Sequence, residues 1–118
     1  MPRFVVLQHD SPDGLHWDLM LETDELLATW NFGQTPDCSE PVTIAELPDH
    51  RVEYLDYEGS ISQGRGMVKR WDYGTYEIVR QSEHEWVLDV CGTKMIGRVS
   101  LCRSADEHRV WRYLLSSG

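Results

Sequence analysis

Two histidines and an aspartate lie close together in the stretch HDSPDGLHWD, residues 9–18 of the chain. Imidazole nitrogens and carboxylate oxygens are side-chain atoms that bind divalent transition metals in many enzymes. Three such ligands leave coordination positions open for water and substrate, which a catalytic metal requires. We therefore predict that His9, His16 and Asp18 bind a divalent metal ion.

These three candidate ligands flank a turn between two predicted β-strands. The run RFVVLQH, residues 3–9, has the β-branched and aromatic content typical of a strand. The segment DSPDG that follows it has the proline and Asp-Gly chemistry of a hairpin connection. The chain is thus expected to return beside itself, which predicts that His9 lies near His16.

The second strand, LHWDLMLE (residues 15–22), alternates so that His16 and Asp18 share one face. From a rise of about 3.3 Å per residue the two lie roughly 6–7 Å apart along the strand, within reach of a shared ion. The opposite face is expected to lie in the core and consists of Leu15, Trp17, Leu19 and Leu21. The same spacing also suits a cross-strand polar pair on a solvated face, so spacing alone leaves both interpretations open.

Further β-rich runs separated by turn signals predict an all-β fold. We expect a compact antiparallel β-barrel of about eight or nine short strands, in a single domain over residues 1–118. One predicted turn lies at Tyr73–Gly74. Residues 32–66 contain three prolines and four glycines, and long irregular loops are expected there.

Charge and composition restrict the classes of partner. The chain has 20 acidic and 11 basic side chains and a net charge of −9, which argues against a broad basic surface for nucleic acid and leaves only local contact.

No apolar run approaches the roughly 20 residues of a membrane-spanning helix, and a cytoplasmic protein is expected. Cys91 and Cys102 belong to no CxxC pair and are expected to be small buried residues.

Three stretches, taken in order, resemble the 3′-phosphoesterase module of bacterial DNA ligase D. They are FVVLQHDSPDGLHWDLMLE (4–22), LPDHRVEYLDYEGSISQG (47–64) and MVKRWDYGTYEI (67–78). The family has a histidine at the end of its first strand, a short turn and an LHYDFRLE-like strand. An EDHPLDYxxFEG-like segment and an IPxG…VxVWDxGxW segment follow. The chain is similar to this family over residues 4 to about 78.

The resemblance implies a β-barrel phosphoesterase that binds manganese, or another divalent ion such as zinc or cobalt. It also implies trimming of the 3′ ends of DNA or RNA, with removal of a terminal ribonucleotide or 3′-phosphate during break repair by non-homologous end joining. By position, His9, His16 and Asp18 would bind the metal, while His50 and Tyr54 would be catalytic residues that contact the scissile phosphate. The implied partners are nucleic-acid 3′ ends and a separate ligase or repair proteins, and a monomer is expected.

Three positions depart from the family pattern. Met20 and, approximately, Val42 occupy positions where the family has arginine, and Gln34 occupies a lysine position. Cations aimed at a transferring phosphoryl group stabilise the transition state, so their loss should weaken or redirect the activity. Replacements could come from Arg51, Arg65 or Lys69. The departures favour an alternative, a non-catalytic metal-binding relative that serves as a binding module in a DNA-repair assembly.

A second alternative is an iron oxygenase. His16 and Asp18 with a distant histidine, His84 or His108, would match the facial triad of that chemistry. The chain is short for such a barrel with its cosubstrate pocket, and His9 would have no role in it. Otherwise His84 and His108 are expected to face solvent.

Overall fold

A computed structural model describes residues 2–116 of the chain. Within these residues the backbone forms nine β-strands and a short 3-10 helix, Val52–Leu55. The strands are β1 (Arg3–Ser11), β2 (Gly14–Glu22), β3 (Leu26–Phe32), β4 (Val42–Arg51), β5 (Gly59–Ile61), β6 (Gly66–Gln81), β7 (Glu85–Cys91), β8 (Ile96–Arg103) and β9 (Val110–Ser116).

All the strands belong to one antiparallel sheet that closes on itself. Its order is β1-β2-β3-β4-β9-β8-β7-β6, and β6 pairs back with β1, so these eight strands form a ring. The short strand β5 adds to the start of β6. The predicted all-β antiparallel fold is confirmed.

Strand β6 crosses the position where a turn was predicted. It runs without interruption through Tyr73 and Gly74, pairing first with β1 and then with β7. A Cβ atom at Gly74 would lie 2.0 Å from the carbonyl oxygen of Cys91. Glycine is therefore required here for close approach of two backbones, and the predicted turn was wrong.

The expectation of long loops over residues 32–66 was only partly correct, because β4, the 3-10 helix and β5 all lie there. Strand β4 contains Pro48, which has no N–H to donate. The β3–β4 pairing shifts register between Leu27 and Thr29, opposite this proline, so the ladder is already interrupted where the donor is missing. The truly irregular segment, residues 33–41, is tied to the core because the Tyr113 hydroxyl donates to the Pro36 carbonyl at 2.5 Å.

Two apolar clusters lie on opposite faces of the sheet. The larger fills the ring and includes Phe4, Val6, Leu19, Leu21, Trp30 and Trp111. The smaller lies outside the ring, where the segment with the 3-10 helix covers β1, β2 and β3, and it comprises Val5, Leu7, Met20, Leu27, Leu55 and Val68. Alternate residues of β1 and β2 thus enter different clusters, and both faces of this hairpin are buried along most of its length.

Three residues predicted to be buried are exposed. Leu15 is 48% exposed because it pairs with Asp10 at the end of the hairpin, beyond the core. Cys91 and Cys102 occupy outward-facing positions on β7 and β8 and are also exposed. No helix among residues 2–116 is long and apolar enough to span a membrane.

A buried carboxylate connects β6 to the turn between β7 and β8. Asp72 is 2% exposed, and its side chain accepts hydrogen bonds from the backbone N–H groups of Tyr73, Thr93, Lys94 and Met95. The four donor–acceptor distances lie between 2.8 and 3.0 Å. This one side chain therefore provides the hydrogen-bond acceptors for four backbone N–H groups.

We expect Asp72→Ala to lower the free energy of unfolding by more than about 3 kcal/mol, because one buried and three part-buried hydrogen bonds to backbone donors are lost together. Urea denaturation followed by tryptophan fluorescence measures the change. Asp106→Ala is the matched control, since Asp106 is exposed and should shift stability by less than about 0.5 kcal/mol. Equal midpoints for the two variants would contradict this role for Asp72.

Candidate functional site

The β1–β2 hairpin brings the three candidate metal ligands together. His9 is the register partner of His16, and the two ring centroids are 4.5 Å apart. Nδ1 of His9 lies 3.0 Å from Nε2 of His16, which lies 3.4 Å from Oδ2 of Asp18. One ligand atom from each residue falls within 4.8 Å of the others.

Two neighbours orient these side chains. Nε2–H of His9 donates to the carbonyl oxygen of Arg65 at 2.7 Å, which leaves the Nδ1 lone pair directed at His16. The Asn31 amide donates to Oδ1 of Asp18 at 3.0 Å, so Oδ2 is the oxygen that faces His16. Hydrogen bonds of this kind to ligand side chains select the tautomer and hold the ring or carboxylate in place.

The orienting roles of Asn31 and Arg65 were not predicted from the sequence. Asn31 is the register partner of Asp18 in the β2–β3 pairing, so a correct prediction of that pairing would have placed Asn31 beside Asp18. Arg65 lies 56 residues after His9, so no local sequence pattern indicates that the two residues are in contact.

The donor types and the spacing of two of the three donor pairs fit a divalent cation. Two donors bonded at about 2.1 Å with an angle of 90–110° lie roughly 3.0–3.4 Å apart, as the His9–His16 and His16–Asp18 pairs do. Two imidazoles and one carboxylate form a mixed donor set suited to transition metals. Among residues 2–116 this is the one cluster of three such side chains close enough to share an ion.

A small cavity of about 110 Å³ joins this cluster to the two predicted catalytic residues. Its polar lining consists of His9, Asp18, His50, Tyr54 and Arg65. The remaining walls are apolar and formed by Leu7, Met20, Ile61 and Val68. The structure therefore brings His50 and Tyr54 next to the candidate ligands, although β4 and the 3-10 helix carry them from a different part of the chain.

Local contacts set the orientation of His50. Its Nδ1–H donates to the Pro48 carbonyl at 2.9 Å, so in the neutral ring Nε2 carries the free lone pair. The His50 and Tyr54 rings pack edge to face with centroids 5.8 Å apart. His50 thus presents a nitrogen that can accept or donate a proton beside the Tyr54 ring.

Glu22, the last residue of the LHWDLMLE stretch, and four residues named above as departures from the family pattern or as alternative ligands lie away from the cavity. Glu22 is at the far end of β2, where its carboxylate accepts from the Arg3 backbone N–H at 2.9 Å. Gln34 is exposed in the irregular segment, and Val42 packs against the cluster inside the ring.

His84 and His108 are exposed and do not belong to the ligand cluster, so the facial triad of an iron oxygenase is not assembled among the described residues.

A glycine allows the turn that carries Arg65 to lie against β1. Gly66 has φ +103°, and a Cβ atom there would lie 2.1 Å from the Asp10 carbonyl oxygen. Only glycine permits this contact. It holds the β5–β6 turn at the end of β1, where the Arg65 carbonyl meets His9.

Comparison with known proteins finds a family model described as the DNA Ligase D 3′-phosphoesterase domain, which matches residues 7–103. A multifunctional non-homologous end joining protein LigD of Pseudomonas aeruginosa is 34% identical over 115 residues, covering 86% of this chain and 13% of that protein. The LigD proteins of Mycobacterium bovis and Mycolicibacterium smegmatis are 31% and 30% identical, covering 86% and 90% of this chain. The chain spans only 13–16% of the length of these relatives.

We expect Gly66→Ala to lower the free energy of unfolding by more than about 3 kcal/mol, because the added methyl group meets backbone and must separate the β5–β6 turn from β1. Gly64→Ala is the matched control, since Gly64 also has positive φ but has open space around its Cβ position. It should cost only about 1–2 kcal/mol of conformational strain. Thermal or urea unfolding of both variants checks this, and equal losses would show that the Gly66 contact is unimportant.

Proposed function

The chain belongs to the DNA ligase D 3′-phosphoesterase domain family, and on this basis we propose that it is a metal-dependent 3′-phosphoesterase of DNA break repair. Its reaction removes a 3′-phosphate or a terminal ribonucleotide from a DNA or RNA end. Manganese is the proposed ion, with zinc or cobalt as other candidates. The proposed partners are nucleic-acid 3′ ends, together with a ligase or other proteins of non-homologous end joining.

One arrangement supports this proposal above all others. Two members of the candidate metal cluster, His9 and Asp18, line the same cavity as a histidine and a tyrosine from a separate segment. Phosphoester hydrolysis needs charge stabilisation at phosphorus and proton transfer at the leaving oxygen. This cavity contains side chains suited to both tasks.

In the proposed mechanism His9, His16 and Asp18 would hold the ion, and the Arg65 carbonyl and Asn31 amide keep His9 and Asp18 oriented. A divalent ion bound there supplies Lewis acidity to a phosphoryl oxygen. Water attacks phosphorus as the bond from phosphorus to the 3′ oxygen breaks. His50, protonated on both ring nitrogens, donates its Nε2 proton to that departing oxygen while its Nδ1–H stays bonded to the Pro48 carbonyl. The proton that the attacking water loses goes to solvent.

Two further side chains are proposed to bind the phosphate. The Tyr54 hydroxyl would donate to a nonbridging oxygen, since Tyr54 lines the cavity beside His50. Arg65 also lines the cavity, and its guanidinium would contribute a cation. The apolar walls limit the entry of competing water, which strengthens these interactions.

The alternative of a non-catalytic binding module has one specific observation in its favour. Met20, at a family arginine position, is 2% exposed and forms an apolar part of the cavity wall. The cation that the family carries on this strand, two residues after the aspartate, is thus absent. A module of this kind would bind the ion and a nucleic-acid end without turnover.

We expect His16→Ala and Asp18→Ala to abolish manganese binding, because each removes a ligand. Asn31→Leu should weaken binding by about 10- to 100-fold through loss of orientation at Asp18. His50→Ala and the exposed control His84→Ala should bind as the wild type does. Calorimetric titration of the folded variants measures these affinities, and unchanged binding in the first two would remove the proposed site.

We expect the wild type with manganese to trim primers that end in a 3′-phosphate or a single ribonucleotide. His50→Ala should lose at least about 100-fold in rate while keeping the ion, since proton transfer contributes on the order of 10²–10⁴. His84→Ala should retain the wild-type rate. Gel separation of the products decides between the proposals, because a wild type that binds manganese but trims neither primer would favour the binding module.

A further inference from the structure

A second, larger cavity continues from the candidate catalytic cavity along the protein surface. It has a volume of about 380 Å³ and shares Tyr54, Ile61 and Arg65 with the smaller cavity. Arg51, Tyr57 and Ser60 extend it away from the candidate metal cluster. We call this larger cavity the arginine groove. Its volume lies within the roughly 300–1,000 Å³ typical of ligand sites.

A row of aromatic rings leads from the catalytic cavity into the arginine groove. The His50 and Tyr54 centroids are 5.8 Å apart, and those of Tyr54 and Tyr57 are 5.9 Å apart. Tyr57 is 38% exposed, and its hydroxyl donates to the carbonyl oxygen of Ser60. This bond holds an exposed ring in one orientation. An exposed, fixed aromatic ring is a typical stacking surface for an unpaired base.

The cations of the arginine groove are available to bind phosphate. Neither Arg51 nor Arg65 forms an ion pair with any carboxylate among residues 2–116. Ser62 holds the Arg65 guanidinium through Nε and Nη2, at 3.1 and 3.3 Å. Glu53 is the one described carboxylate in the lining, so the cations outnumber it. In a chain with net charge −9 this local excess of positive charge is unusual.

We propose that the arginine groove binds the nucleotide next to the terminal one at an unpaired 3′ end. The base stacks on Tyr57, and Arg51 and Arg65 bind the phosphodiester that links it to the end. This inference rests on the proposed function and names its substrate class. In a duplex the neighbouring bases cover each base face, so this stacking selects a single-stranded or frayed end.

Binding measurements separate the arginine groove from the catalytic cavity. The probe is a fluorescein-labelled single strand of about ten nucleotides with a 3′-phosphate, titrated in manganese and followed by anisotropy. Tyr57→Leu should weaken binding by about 5- to 100-fold, as expected for loss of one base stack. Tyr57→Phe keeps the ring and should restore most of the affinity. Tyr73→Leu removes a tyrosine that is 49% exposed outside the groove and should change nothing.

The arginine contacts are tested by salt dependence. Arg51→Gln and Arg65→Gln should each weaken binding and reduce the slope of log affinity against log salt by about 0.7, the value for one phosphate contact on a single strand. Arg112→Gln, at an exposed position on β9, is the control and should leave the slope unchanged. Unchanged slopes in both groove variants would overturn the phosphodiester contact.

A nucleoside 3′-monophosphate, which has no second nucleotide, provides the decisive comparison. Its binding, measured by calorimetry in manganese, should not respond to Tyr57→Leu. An equal loss for the mononucleotide and the oligonucleotide would overturn the groove as a separate subsite, as would equally tight binding of a blunt duplex. If the oligonucleotide results hold but the wild type trims no primer, the proposed phosphoesterase function fails while the groove stands.

Discussion

The pairing register of β1 with β2 is the constraint on which the candidate site depends. It sets His9 opposite His16 and leaves Asp18 on the same face two residues further along. Side chains alternate along a strand, so a slip of one residue would turn both β2 ligands toward the inside of the ring. Burial of Leu19 and Leu21 in the ring core opposes that slip. The hydrophobic core and the polar cluster are thus determined by the same register.

The outer face of this hairpin would meet solvent in a simple ring of strands, but here a second layer covers it. The 3-10 helix contributes Leu55, which packs with Met20 and Leu27 from the sheet. The covering segment also carries Tyr54 into the cavity. As a result Asp18 is only 5% exposed, and a carboxylate so buried needs polar partners, which Asn31 and His16 provide. One segment therefore both buries the cluster and supplies part of the proposed catalytic machinery.

Positive charge reaches this cavity from a turn rather than from β2. Met20 occupies the strand position in an apolar environment, whereas Arg65 approaches from the β5–β6 turn. Arg65 has two connections to the site, since its carbonyl orients His9 and the residue lines both the small cavity and the arginine groove. In the proposed enzyme this single residue would connect orientation of a metal ligand with binding of the nucleic-acid backbone.

The sequence by itself determined the all-β class, most strands and the approach of His9, His16 and Asp18, because alternation and hairpin turns are encoded over a few neighbouring residues. The family motifs added His50 and Tyr54. Tertiary structure alone decided that β6 continues through Gly74, that the outer face of the hairpin is covered, and that Arg65 and Asn31 orient the cluster. These features depend on contacts between segments distant in the chain, such as the backbone approach of Gly66 to Asp10. The alternation of apolar and polar residues within one segment does not predict such contacts.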